Sequence, residues 1–412
     1  MTGATRNSNP SGEWRAGWPL VATSCIGMMV SVLHIYSMGV FMEPIQASTG
    51  WERTEITVAL TITSSTTVLF ATIVGWMIDK YGARRVGIPG TALYCAAFAA
   101  LAFVPDSVWI WWAMWVLVAA GALFIKPTLW TAAVATRFVK ARGLAFALTL
   151  CGTGLAAATM PIAAHHAIAA FGWRGAFGVL GATAGILLIP AMLLWFREGG
   201  GAPGAAPRKI PPAPGTVRRL VMSRRFLQLA IATFLVTAAI TVLVIHFVPI
   251  LRSRGLSPGL AASVAGIIGL CSIAGRIAGG ALLDRVNGRW IAGIAFTLPC
   301  VACLLLLLGP MSTPVAIAAA VFIGVSLGAE IEVVAYLTSR YFGLRSYGLI
   351  FGTIVAFLSL GSGLGPLAAS AVFDATGSYQ SAILAVIPLF AGAALLVTTL
   401  GRYPDNPDAA YD

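Results

Sequence analysis

Four ionisable residues, Lys126, Arg276, Glu330 and Glu332, interrupt stretches of sequence that are otherwise apolar. A charge at the centre of a bilayer costs at least ~2.5–3.5 kcal/mol, so each is a candidate for work on a charged solute. Lys126 lies eleven residues before Arg137 and Glu330 ten before Arg340. At 1.5 Å per residue both stand roughly 15–16 Å above the next basic edge, near mid-depth. Arg276 lies eight residues before Asp284, roughly 12 Å from the same edge. A guanidinium presents a planar fork that matches a carboxylate. Glu330 and Glu332 are about 200° apart on a helix and face different directions, one towards a cavity and the other towards a neighbouring helix. With all four ionised the set is neutral, so an entering carboxylate adds an uncompensated negative charge. Protonating one glutamate restores the balance, and a low-dielectric site favours the neutral form of a carboxyl group. Glu330 or Glu332 is therefore the expected proton carrier. The alternative is that Arg276 and one glutamate form a permanent structural pair, with Lys126 snorkelling.

Other reactive residue types carry less. The six cysteines, Cys25, Cys95, Cys151, Cys271, Cys300 and Cys303, all fall in apolar runs without pairing or metal-ligand spacing and read as packing residues. His34 and His246 read as packing or interfacial groups with pH sensing as the alternative, and His165 and His166 as interfacial. The sequence contains no Walker loop, nucleophile triad or metal cluster, so no enzyme, ATP-driven pump, cofactor or metal is expected.

The elements that must position these charges follow from composition. Of 412 residues, 58% are hydrophobic and 10% charged, against roughly 25% charged in soluble domains. A soluble enzyme, a disordered chain and a nucleic-acid-binding domain are excluded, despite a net charge of +12. Runs of about 20 apolar residues cover 18–42, 54–78, 86–104, 109–133, 144–168, 174–196, 226–250, 260–283, 290–309, 313–338, 347–372 and 380–400. Each must be helical, because lipid leaves backbone groups no partner outside the segment. The expected fold is an all-α membrane protein of twelve transmembrane helices. Most of the 26 Lys and Arg residues fall in alternate loops, which places both termini in the cytoplasm. Trp109, Trp111, Trp112 and Trp115 read as an outer aromatic belt.

The run GGGAPGAAPRKIPPAPGTV, beginning at Gly199, reads as a linker between six spans and six spans. The expected domains are therefore 1–198, a linker at 199–222, and 223–412. The halves echo one another: GWMIDKYGARR from Gly75 recurs as GALLDRVNGRW from Gly280. Asp79, Lys80 and Arg84 then have counterparts in Asp284, Arg285 and Arg289. An aspartate facing a cation across the halves makes a breakable latch, so these six residues are the expected cytoplasmic gate; alternatively the cations only set topology.

On these motifs the chain resembles the major facilitator superfamily over nearly its whole length. The resemblance implies two pseudo-symmetric six-helix bundles, a central cavity lined by spans 1, 4, 7 and 10, and alternating access. A narrower resemblance is to the monocarboxylate transporter family and the related oxalate/formate antiporters. RFVKARGLAFALTLCGTG matches the family pattern at Phe138, Lys140, Arg142, Leu144, Ala145 and Gly152, and departs at Arg137, Ala141, Ala147, Thr149 and Cys151. GWERTEI after span 1 and GWRGAF at the start of span 6 are similar too. The resemblance implies that Arg276 binds the substrate carboxylate. Ser272 stands where mammalian members have an aspartate, so the acidic partner is left to span 10. Tyr36 stands where the family has a cavity lysine and offers a hydrogen bond without a charge.

The expected function is therefore proton-coupled transport of a small organic anion, a monocarboxylate, in a bacterial inner membrane, by a chain that works as a monomer. Arg276, Lys126 and Tyr36 would bind substrate. The rivals are an anion antiporter or exporter of amphipathic compounds, and a transporter-like receptor.

Overall fold

The structure is a computed structural model that describes residues 10–138, 141–197, 221–283, 285–308, 312–343 and 347–404. Among the described residues there is no strand. Eleven stretches are long and apolar enough to cross a bilayer. One of these, Gly143–Trp195, has 53 residues and would measure roughly 80 Å as one helix, far beyond the ~30 Å hydrocarbon core. It is two helices joined at Gly172, whose φ of 69° and ψ of 172° turn the chain in a conformation that glycine alone adopts easily. Twelve crossings result.

Span 1 consists of Pro10–Ser31 and Leu33–Thr49, span 2 is Arg53–Tyr81 and span 3 Ala83–Ala100. Span 4 consists of Val108–Phe124 and Pro127–Arg137, and spans 5 and 6 share Arg142–Trp195. Span 7 is Arg224–Ser253, span 8 Pro258–Leu283 and span 9 Gly288–Leu308. Spans 10, 11 and 12 are Thr313–Phe342, Tyr347–Thr376 and Gln380–Thr398. One hydrophobic core is built from side chains between Leu20 and Phe196 together with Ile245 of span 7, the other from side chains between Phe226 and Leu400. These are the two six-helix bundles. The expected linker falls outside the described residues except for Val221 and Met222.

The tryptophan cluster corrects the belt reading. Trp111 and Trp115 are fully buried, and only Trp109 is widely exposed. Residues four apart share a helix face, and that face of span 4 points into the first core, where Trp111 and Trp115 meet edge to face.

The two bundles touch on one side of the membrane. On the face opposite the chain ends, Asp374 of span 11 accepts hydrogen bonds from the backbone N–H of Arg53 and Thr54, at 3.0 and 2.7 Å, and from the Thr54 hydroxyl. The Arg53 guanidinium lies 3.7 Å over the Phe373 ring and bonds the Tyr379 hydroxyl. Glu43 of span 1 pairs with Arg252 of span 7 at 3.1 Å. Nearer mid-depth, Thr57 bonds Ser370 and Thr61 bonds the Gly363 carbonyl. Towards the face that carries the chain ends, the terminal face, a Cβ added at Gly75 or Gly280 would meet nothing within 4 Å. Ile73, Trp76, Ile277 and Leu282 are exposed there. These bonds between the bundles thus gather on one face and towards mid-depth, while Gly75 and Gly280 meet no neighbour towards the other.

Candidate functional site

Spans 8 and 10 place most of the charge. Their backbones approach so closely that a Cβ at Gly328 would lie 1.9 Å from the Ser272 carbonyl oxygen, and one at Gly275 2.3 Å from that of Val325. Small residues permit such contact in membrane helices, and it fixes the register. One turn beyond Ser272 and Gly328 come Arg276 and Glu332, and their side chains pair at 2.9 Å. Both are partly accessible, at 17% and 21% of the side chain. Arg276 has donors to spare beyond the Nη1 used in this pair. Glu332 Oε2 is buried without a hydrogen-bond partner among the described residues. The acidic partner of Arg276 is therefore on span 10, and Ser272 is given over to helix contact.

Glu330 points elsewhere. It is 4% exposed and accepts a hydrogen bond from the Thr237 hydroxyl of span 7. Thr237 belongs to a stripe of threonines, Thr233, Thr237 and Thr241, of which the first and last bond back to carbonyls four residues earlier. The sequence reading missed Thr237, although three threonines four apart in an apolar run are a visible signal. Tyr36 of span 1 lies within electrostatic reach of Arg276 and Glu330, and Glu330 within that of Glu332. Four of the singled-out residues, on spans 1, 8 and 10, therefore form one cluster, with Thr237 as a fifth member.

Lys126 occupies a different setting. Span 4 is broken where Pro127 follows it. Proline drives the preceding residue out of the helical region, and Lys126 has φ −63° and ψ 161°. It becomes the N-cap of the inner helix, with Pro127 in the first turn, where a missing N–H costs nothing. The carbonyl of Ile125, freed by the break, accepts from Trp130 Nε1 at 2.8 Å, which meets the demand for backbone satisfaction at this depth. Lys126 thus adds its charge to the positive end of a helix dipole. Its electrostatic neighbour is His34 of span 1, itself bonded through Nδ1 to the Tyr94 hydroxyl at 3.0 Å.

Arg84, Lys80 and Arg289 each find partners within their own bundle. Arg84 donates to the carbonyls of Leu193 and Phe196 at 2.6 and 2.9 Å, closing the end of span 6 in its own bundle. Lys80 lies over the rings of Trp76 and Tyr81, and Arg289 over Trp290. Arg285 has no cross-bundle ion pair among the described residues. Asp284 and the side chain of Asp79 lie outside the described residues.

The sequence reading also missed the cluster on the face opposite the chain ends. His246 is fully buried; its Nε2 lies 3.0 Å from the Pro366 carbonyl and its Nδ1 3.0 Å from the Tyr379 hydroxyl. A carbonyl only accepts, so Nε2 carries the hydrogen and Nδ1 accepts from Tyr379. Burial pushes the Tyr379 hydroxyl up to about 12, so it stays a donor. Arg53, Asp374 and Tyr379 come from opposite ends of the chain, and their one visible signal is that each sits at a span end.

Residues 24–335 match the Major Facilitator Superfamily. The chain is 29% identical over 328 residues to Monocarboxylate transporter 11 of Homo sapiens, covering 74% of this chain and 66% of that protein. It is 24% identical over 405 residues to Monocarboxylate transporter 13 of Bos taurus, covering 96% and 91%. The fold matches a point mutant of the nucleoside transporter NupG with TM-score 0.76 at 12% identity, over 93% of this chain and 100% of that one. It also matches a bacterial homologue of the human lysosomal transporter Spinster, in an inward-facing and occupied conformation, with TM-score 0.69 at 15% identity, over 96% and 94%. The chain belongs to the Major Facilitator Superfamily: it is a membrane transporter related to monocarboxylate transporters, and not an enzyme.

Proposed function

We propose that this Major Facilitator Superfamily chain carries a small monocarboxylate together with a proton, by alternating access. The observation that carries the reading is the Arg276–Glu332 pair. Among the described residues its guanidinium keeps donors free, and its carboxylate keeps one oxygen, Oε2, without a hydrogen-bond partner. A carboxylate that takes the fork of Arg276 displaces Glu332, which is then a buried anion without its counter-charge. Such a group is strongly destabilised, and a proton on Glu332 or Glu330 removes the penalty. Substrate and proton therefore enter together, and neither is held stably alone. Lys126 and the helix end behind it raise the positive potential felt by the anion, and Tyr36 offers it a hydrogen bond.

The terminal face is the cytoplasmic mouth of the pathway in this state, in keeping with the Lys and Arg distribution. The opposite face, sealed in this state, opens in the other, when the partners of Asp374 and Arg252 are released. Asp79, Lys80, Arg84, Asp284, Arg285 and Arg289 then close the cytoplasmic side. Two bundles, 1–198 and 223–412, joined by a linker at 199–222, move as the rigid parts. The membrane is a bacterial inner membrane, and one chain forms the whole pathway.

Uptake of a panel of labelled carboxylates into proteoliposomes with an alkaline interior tests this reading. Accumulation of one acid that collapses with a protonophore is the expected result. Exchange with preloaded acid, without accumulation under the gradient, would overturn it in favour of antiport.

A further inference from the structure

Towards the terminal face, the ends of spans 2 and 3 part around a groove of about 390 Å³. Met77 and Tyr81 of span 2 form one wall, Arg85 and Leu93 of span 3 the other, and Phe124 of span 4 the back. Span 3 and Phe124 meet through Gly90, where an added Cβ would lie 2.1 Å from the Phe124 Cβ. The groove is apolar along its length, with Tyr81 and Leu93 exposed, and is cationic at one end. That end is Arg85, which is exposed. Its neighbour Arg84 is taken up by the carbonyls of span 6. Arg85 has no protein partner among the described residues. The first turn of span 3 also lacks an acidic residue, so two cations sit at the end of a helix that favours anions. Lys80 stands beside it, 4.7 Å from the Trp76 ring and 5.2 Å from that of Tyr81.

We propose that this groove holds one anionic phospholipid from the leaflet on the terminal side, with its phosphate on Arg85 and an acyl chain between spans 2 and 3. The dimensions suit such an occupant. From Arg85 to Leu93 is eight residues, roughly 12 Å of helix, and one leaflet of a ~30 Å hydrocarbon core is roughly 15 Å deep. The arrangement of charge suits it as well. Basic and aromatic residues stand at headgroup level, where they attract anionic lipid, and everything deeper is apolar. A free inorganic anion would use Arg85 and leave the trough empty. The position also has a consequence for transport. Phe124 is the last residue of the outer helix of span 4, directly before Ile125 and Lys126 at the break. An acyl chain against Phe124 braces the segment that holds Lys126 in place.

The test is native mass spectrometry of the full chain after equilibration with vesicles of phosphatidylethanolamine and phosphatidylglycerol in equal parts. Wild type should retain close to one phosphatidylglycerol per chain. Arg85→Gln should lose it, and so should Met77→Trp, which fills the groove and leaves every charge in place; each variant is first checked for monodisperse elution. Retention of that lipid by both variants would overturn the proposal. So would its displacement from wild type by millimolar inorganic phosphate, which would mark a free-anion site. Equal retention of phosphatidylethanolamine would remove the role of Arg85. A dimer of wild type dispersed by Met77→Trp would assign the groove to a second copy of the chain instead.

Discussion

Spans 4 and 10 are counterparts in the two halves, and each carries its charge near mid-depth by a different device. Span 10 runs unbroken from Thr313 to Phe342 and holds Glu330 and Glu332 through side-chain partners, Thr237 and Arg276. Span 4 breaks at Lys126 and holds its cation through the backbone, at a helix N-terminus next to a proline. A carboxylate with a hydrogen-bonded neighbour and a cation within reach can exchange a proton for a partner. Lys126 sits at the N-cap position without a side-chain capping bond, and in the proposed function it supplies a positive potential felt by the anion. On the proposed function, this contrast would place coupling in the second half and electrostatic attraction in the first.

The largest expected effect on this division comes from Arg276→Ala. It removes the charge-assisted hydrogen bonds that the fork would give the substrate carboxylate, about 1.5–3 kcal/mol each. Uptake should fall by at least about 100-fold, since each 1.4 kcal/mol is tenfold, while the protein still elutes as a monodisperse species. Normal uptake would make the pair structural and dissolve the contrast.

Next in size is Asp374→Asn, which weakens the bonds that fasten the two halves on the sealed face. Hydrogen bonds to a charged group are worth about 1.5–3 kcal/mol each, so the conformational equilibrium should shift by about tenfold or more. A cysteine placed at Thr61, which bonds across the halves to Gly363, should then label faster with an impermeant maleimide from that face. An unchanged labelling rate would show that other contacts hold the face shut.

A smaller change is expected from Lys126→Met. If the lysine supplies potential alone, KM rises about tenfold, the effect of one screened charge worth roughly 1–2 kcal/mol, and the pH dependence of uptake keeps its shape. A changed pH profile would move part of the coupling into the first half. The smallest effect belongs to Pro127→Ala, which lets span 4 become continuous and turns Lys126 away from the helix end. KM should rise a few-fold with the maximal rate preserved, in keeping with a dipole contribution of about 0.3–1 kcal/mol.

The contrast between spans 4 and 10 also shows what a sequence can reveal. The number of crossings, the half-repeat and the four intramembrane charges follow from hydropathy and charge spacing, because lipid enforces both. The break in span 4 was written in Lys126-Pro127, yet a hydropathy count passes over it, since a proline in a run of apolar residues changes no average. Trp111 and Trp115 were misplaced for a similar reason: four tryptophans in one window look like a belt until the four-residue spacing divides them into a buried and an exposed face. The pairing of Arg276 with Glu332 required the register of two glycine-faced helices, which no single helix displays. The sealed face was the least legible. Arg53 and Asp374 are 321 residues apart, and each alone is an ordinary charge at a helix end.

The central claim is that the proton rides on the carboxylates of span 10. Glu332→Gln and Glu330→Gln, each reconstituted with wild type as reference, test it through two assays on the same vesicles: exchange of labelled for preloaded substrate, and accumulation driven by a pH gradient. One of the two variants is predicted to exchange substrate while failing to accumulate it, because a permanently neutral side chain lets the loaded carrier reorient but leaves no proton to release. Accumulation at the wild-type level by both variants would contradict the claim.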